Sequence, residues 1–184
     1  MKPNLAVFDG TWGLHRTYHA IGHRSKSFPS LATASAFVSW VADVCLSLNA
    51  THVLVGFDGP NSFRYDVYPA YKSNRSGKEE AVDRGDDGIA EPSAVYDTME
   101  ETQKALGMLG FTSIQIERYE ADDVLVSAGA AYSKHFNRVY LVCRDKDVLQ
   151  AVDKNVILYT PPMQKHTRAE RIARTVTLAS FQKE

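Results

Sequence analysis

The stretch LAVFDG, Leu5 to Gly10, is four apolar residues followed by an aspartate and a glycine. Four residues is the length of a strand rather than of a helix, and an unbroken apolar run fits a strand covered on both faces, as in parallel sheets. The same phrase recurs outward along the chain. His52 to Phe57 (HVLVGF), Ser113 to Ile116 (SIQI) and Arg138 to Cys143 (RVYLVC) read as further buried strands, and Asn155 to Tyr159 as a weaker fifth. Between them lie helical patterns. Ala34, Phe37, Val38, Val41, Val44, Cys45 and Leu48 recur in steps that place them on one helix face, with Trp40 falling off the stripe. A second helix is expected from Ser93 to Leu109, stopped by Gly110, and a third from Ala121 to about His135, burying Val124, Leu125, Ala128 and Tyr132. Strands alternating with helices of these lengths predict a three-layer α/β fold around a mostly parallel sheet.

The chain has 184 residues, 44% of them apolar, which is enough for one domain with a real core and too little for two. A single domain over 1–184 is therefore expected. Ser73 to Glu91 is charged, glycine-rich and without apolar periodicity, so it reads either as a substrate-ordered lid or as an inert linker. No leader-like pattern opens the sequence and no run of about 18 apolar residues is apparent, so a cytoplasmic protein without a membrane partner is expected. Cys45 and Cys143 sit among apolar neighbours outside any CxxC spacing and read as buried free thiols.

The acids fall where a parallel sheet would gather them. Asp9 ends the first strand, Asp58 the second, Glu120 follows the third and Asp145 closes the fourth, so all four are directed to one sheet edge, where open α/β sheets bind ligands. Asp122 and Asp123 join Glu120 in YEADD, and Asp147 joins Asp145 in RDKD. Two carboxylates about 4 Å apart repel by roughly 4 kcal/mol even at an effective dielectric near 20, so something positive belongs among them. Oxygen ligands with no histidine or cysteine select Mg²⁺ or Mn²⁺ over zinc. Two such ions, roughly 3.5 to 4 Å apart, would grip a scissile phosphate, activate an attacking water and stabilise the leaving oxygen, which is phosphodiesterase chemistry. Each motif singly has a plainer explanation. Asp9-Gly10 serves equally as a turn, and Asp122-Asp123 as acids favoured by a helix dipole. It is the repetition at four strand ends that points to a site. The net charge of −1 does not decide about DNA, because taking seven negative charges out of it leaves +6 on the remainder.

Four segments, in order, resemble the 5′ nuclease domain found in bacterial DNA polymerase I and in phage 5′-3′ exonucleases and flap endonucleases. They are VFDGTWGLHRTYHA (Val7 to Ala20), GFDGPNSFRYDVYPAYKSNR (Gly56 to Arg75), YEADDVL (Tyr119 to Leu125) and DKDVLQAV (Asp145 to Val152). The resemblance implies a PIN-like α/β domain and Mg²⁺- or Mn²⁺-dependent hydrolysis of DNA at a 5′ end or 5′ flap by a metal-activated water. It also implies metal ligands at Asp9, Asp58, Glu120, Asp122, Asp123, Asp145 and Asp147. Lys72 and Arg75 match the family's basic residues at the base of an arch, and Arg64 its FR position. Charge beside the scissile phosphate would there stabilise the transition state. Tyr71 stands either as a base-stacking residue or as core, and Arg16 either as a phosphate contact or as half of a surface ion pair. His15 and His19 read as packing or solvent-facing. The excursion at 73–91 occupies the arch position.

In the family, DKD is followed by further aspartates for a second ion and by a helix-three-turn-helix module that grips duplex DNA. Here the sequence runs to VTLASFQKE without them, through a basic tail at about 163–184 containing Lys165, His166, Arg168, Arg171 and Arg174. That tail reads as a non-specific DNA contact or as a solvated terminal helix. An alternative expectation is accordingly an incomplete, weakly active or inactive module that binds DNA or a separate polypeptide supplying the missing half. Two rival enzymes fit less well. A haloacid-dehalogenase-type phosphatase needs a second aspartate where Thr11 stands, and a toprim-type nuclease gives no role to YPAYKxNR or YEADD.

Overall fold

A computed structural model describes residues 2–72, 92–161 and 174–177. Strand β1 (Asn4–Asp9) leads into α1 (Gly10–Ala20), a short 3₁₀ turn, and α2 (Pro29–Leu48). There follow β2 (Ala50–Phe57), α3 (Arg64–Val67), α4 (Pro92–Tyr96), α5 (Met99–Met108) and β3 (Thr112–Gln115). The chain continues through α6 (Ala121–Tyr132), β4 (Arg138–Val142), a 3₁₀ turn at Asp147–Ala151, β5 (Val156–Thr160) and β6 (Arg174–Val176). The strands form one sheet in the order β3-β2-β1-β4-β5-β6. Five of them are parallel and β6 alone runs antiparallel, against β5. The three-layer α/β architecture around a mostly parallel sheet read from the sequence is therefore the one observed.

Alternation along β1 builds the layers. Ala6 and Phe8 enter a core with Phe37, Val41, Val55 and Phe57 under α1, α2 and α5, while Leu5 and Val7 enter a second core with Leu125, Val139, Leu141 and Val156 under α6. Both faces of the sheet are covered, which is why its strands are apolar without a break. Cys45 and Cys143 are both buried free thiols, one in each core.

Several elements depart from expectation. Trp40 is buried, packing edge-on against Phe8, Trp12 and Phe37, because α2 is flanked by α1 as well as by the sheet and needs a face wider than one stripe. That helix also reaches the length and mean hydropathy of a membrane span, although Thr33, Ser35, Ser39 and Asp43 interrupt its apolar residues. Here its apolar residues, Phe37, Trp40, Val41 and Val44 among them, fill the core. The helix expected from Ser93 to Leu109 is two, since the buried Thr98 turns its hydroxyl back to the Val95 carbonyl at 2.7 Å and tightens the chain between α4 and α5. Gly110 does stop α5, with φ of +76°. Helix α6 ends at Tyr132, whose ring is exposed, rather than near His135. The excursion at 73–91 lies outside the described residues, as do Arg75, Lys165, His166, Arg168 and Arg171. Arg174 begins β6, so this part of the basic tail is strand and not helix.

Candidate active site

The carboxyl ends of the parallel strands open into a cleft of about 1860 Å³ lined by Asp9, Asp58, Glu120, Asp122, Asp123, Asp145 and Asp147, with Arg64, Tyr71 and Lys72 beside them. All seven acids singled out in the sequence thus line one space.

Asp9 is buried at the end of β1 and accepts a 2.8 Å hydrogen bond from the Trp12 N–H, capping α1. Gly10 is required there, because a Cβ would lie 2.7 Å from the Gly56 carbonyl oxygen. Asp58 is held from two sides. Its N–H donates to the Thr11 hydroxyl at 2.8 Å, and its Oδ1 accepts from the Ala121 N–H at 2.7 Å. The loop beyond it is laced to the loop after β3 by main-chain bonds, Gly59 N–H to the Tyr119 carbonyl at 2.8 Å, Arg118 N–H to Pro60 at 2.8 Å and Phe63 N–H to Arg118 at 3.0 Å. Asp145 accepts from the Asp147 N–H at 2.9 Å and starts the 3₁₀ turn, leaving both acids exposed on the rim.

Glu120 is buried at the N-terminus of α6. Its Oε1 accepts from Lys72 Nζ at 3.0 Å and its Oε2 from the Tyr71 hydroxyl at 3.0 Å. Lys72 has φ of +57°, a backbone conformation uncommon for a side-chain-bearing residue, which aims its ammonium into the cleft. Tyr71 belongs to this site: its ring also meets Tyr65, Lys72 and Arg64.

Burial, opposed by the Trp12 bond and reinforced by Asp122, Asp58 and Asp145, pushes the Asp9 carboxyl up to about 7. Burial and the charges of Asp145, Asp58 and Glu120 push Asp122 up to about 6. These carboxylates therefore feel one another across the cleft. Among the described residues, Asp122 Oδ1 is buried and has no hydrogen-bond partner. A buried carboxylate oxygen without a donor, facing other carboxylates, fits a hard cation. No group of three or more acids, histidines or cysteines among the described residues is drawn together into a compact ligand cluster, so the acids surround the cleft rather than meeting at a point.

Three of the expected residues have partners of their own in the fold. Asp123, also on the cleft lining, has Oδ2 and Oδ1 accepting from Arg64 Nη1 and Nη2 at 2.7 and 2.8 Å. Arg64 lines the cleft with its guanidinium paired to Asp123. Arg16 lies outside the cleft lining, its guanidinium stacked 5.2 Å from the Trp40 ring centre. Conversely, Trp12, His15, Tyr96 and Gln115 line the cleft without having been picked out for it. For His15 the signal lay in its place on the helix that Asp9 caps. Tyr96 and Gln115 reach the site through tertiary packing alone. His19, expected to pack or face solvent, is exposed and stacks on His15 at 6.1 Å.

The family model for the 5′-3′ exonuclease N-terminal resolvase-like domain matches residues 4–181. The chain belongs to this family. It is 27% identical over 153 residues to the 5′-3′ exonuclease of Mycoplasmopsis pulmonis, covering 83% of this chain and 46% of that protein. It is 27% identical over 164 residues to DNA polymerase I of Mycobacterium tuberculosis, covering 87% of this chain and 17% of the polymerase. The fold also matches bacteriophage T5 flap endonuclease, solved as a pseudo-enzyme-product complex with DNA and metal ions. There the TM-score is 0.69 at 23% identity, over 98% of this chain and 60% of that one. This member of the exonuclease family thus spans about half, or less, of the curated relatives it matches.

Proposed function

We propose that this domain is a Mg²⁺- or Mn²⁺-dependent 5′ nuclease that hydrolyses DNA phosphodiester bonds at a 5′ end or 5′ flap. One observation carries the reading: acids from the ends of four parallel strands face a single cleft beside the ammonium of Lys72. Membership of the exonuclease family and the DNA and metal ions bound by the T5 flap endonuclease support it. Asp9, Asp58, Glu120, Asp122 and Asp145, with Asp147 on the rim, are the residues that would hold the cation. When bound, the cation supplies Lewis acidity to the phosphate and lowers the pKa of the water that attacks it.

The chain's own residues do the rest. Lys72 brings a positive charge to the cleft, where the phosphate's charge develops during hydrolysis. Its bond to Glu120 keeps that ammonium in place until the substrate arrives. Tyr71 fixes the other oxygen of Glu120, and the Thr11 and Ala121 bonds hold Asp58 in one orientation. Such fixed geometry matters because misplacing a catalytic group by about 1 Å costs on the order of a hundredfold in rate.

The test is incubation with labelled 5′-flap, nicked and single-stranded DNA in Mn²⁺ or in chelator. Cleavage is expected only with the cation, and Asp58→Asn and Asp145→Asn should abolish it. Cleavage in chelator, or by both variants at the wild-type rate, would reject the mechanism.

A further inference from the structure

Arg64 and Asp123 form a pair that neither the sequence reading nor the proposed reaction accounts for. The guanidinium fork meets the carboxylate side-on, its two terminal nitrogens at 2.7 and 2.8 Å from the two oxygens. This is the bidentate arrangement that gives arginine–carboxylate pairs both strength and direction. The guanidinium is itself held in place, lying 5.0 Å from the Phe63 ring centre and 6.0 Å from that of Tyr71.

Asp123 passes this order on. Its Oδ2 also accepts the Glu120 N–H at 2.9 Å, and its own N–H donates to the Glu120 carbonyl at 3.0 Å. Both main-chain groups of Glu120 are thereby tied to Asp123. The next N–H, that of Ala121, holds Asp58. Arg64 Nη1 stands 3.7 Å from Glu120 Oε2, the oxygen that also takes the Tyr71 hydroxyl.

From this geometry we infer that Asp123 is not a cation ligand but the middle of a clamp, and that Arg64 is a positioning residue acting through it on Glu120. Arg64 reaches the chemistry only by fixing the N-terminus of α6, where Glu120 turns one oxygen to Lys72 and the other to Tyr71. It neutralises one of the seven acids and removes it from the set that repel across the cleft. The inference deepens the nuclease reading and rests on it only for the effect on cleavage.

The experiment is a double-mutant cycle of Arg64→Met and Asp123→Asn on the full chain. Mn²⁺ affinity is measured by calorimetry without DNA, DNA affinity by fluorescence anisotropy in Ca²⁺, and the single-turnover rate on a labelled 5′ flap. Residues that orient metal ligands typically change affinity or activity about tenfold or more when removed. Each single variant is therefore expected to weaken Mn²⁺ binding and slow turnover about tenfold, the double variant no more than either, with DNA affinity unchanged. Arg64→Lys, which keeps the charge without the fork, should not restore the wild-type values.

If Asp123→Asn weakens Mn²⁺ binding while Arg64→Met leaves it intact, Asp123 is a ligand and the inference is wrong. If Arg64→Met weakens DNA binding and leaves Mn²⁺ affinity intact, Arg64 is a phosphate contact and the inference is again wrong. A wild-type protein that binds Mn²⁺ but cleaves nothing would overturn the nuclease reading while the calorimetric cycle still decides on the clamp. Thermal melts of the four proteins without added cation decide it independently, since additive shifts would exclude a coupled pair.

Discussion

At Lys72 the backbone conformation and the chemistry meet. A positive φ costs a non-glycine residue energy that surrounding contacts must offset, and here the offset is the ion pair with the buried Glu120. Replacing Lys72 by alanine removes a charge aimed where phosphate charge develops. Single-turnover cleavage should fall on the order of a hundredfold while DNA affinity changes little. Loss of affinity at an unchanged rate would make Lys72 a mere anchor. Asp9 and Asp122 carry a different expectation. Both carboxyls are raised, from 3.8 to about 7 and about 6 respectively. Their neutral forms are thus favoured in the folded protein, and the stability they contribute is full below the ordinary carboxylate range and lost as pH rises through 6 to 7. In chelator, the melting temperature should decline from pH 4 toward pH 7, less steeply in Asp9→Asn. A curve that rises over that interval would contradict the repulsion described for the cleft.

The helices show where reading by periodicity works and where it stops. The α2 stripe was legible because Phe37, Val41, Val44 and Leu48 face the sheet at helical spacing. Trp40 was not, because its burial depends on α1 lying beside α2, a fact of tertiary packing. Its ring fills the space above Gly13, where even a Cβ would come within 2.5 Å. Trp40→Ala should therefore cost about 3–5 kcal/mol in denaturant unfolding. The break between α4 and α5 escaped notice for a related reason, since a threonine inside an apolar pattern declares itself only when its hydroxyl is seen returning to the Val95 carbonyl. The acids at the strand ends were readable because sheet topology alone carries them to one edge. The pairing of Asp123 was not, because Arg64 is 59 residues away along the chain and nothing in local spacing links them. Gly59 tests the packing of this rim. A Cβ there would sit 1.8 Å from the Ile116 carbonyl oxygen, so Gly59→Ala should destabilise by about 1–3 kcal/mol and displace Asp58. An alanine variant with unchanged melting temperature and Mn²⁺ affinity would show that the loop yields freely.

For the molecule as a whole, a cleft that assembles acids from four strands can form only once the sheet has formed, so cation binding and folding are linked. Any cation that binds only the folded protein stabilises it in proportion to the logarithm of its concentration. Mg²⁺ or Mn²⁺ should accordingly raise the melting temperature at pH 7.5 more than at pH 5, where Asp9 and Asp122 are largely protonated. Equal shifts at both pH values would place the cation elsewhere. The lacing of the Asp58 loop to the 116–119 loop has a consequence of another kind. Because it runs through peptide groups, it is indifferent to which side chain occupies Glu117 but intolerant of a change in spacing. A lone glycine inserted between Pro60 and Phe63 would leave every acid present yet slide one bank of the cleft past the other, so relatives can be expected to drift in letters along this seam while keeping its count.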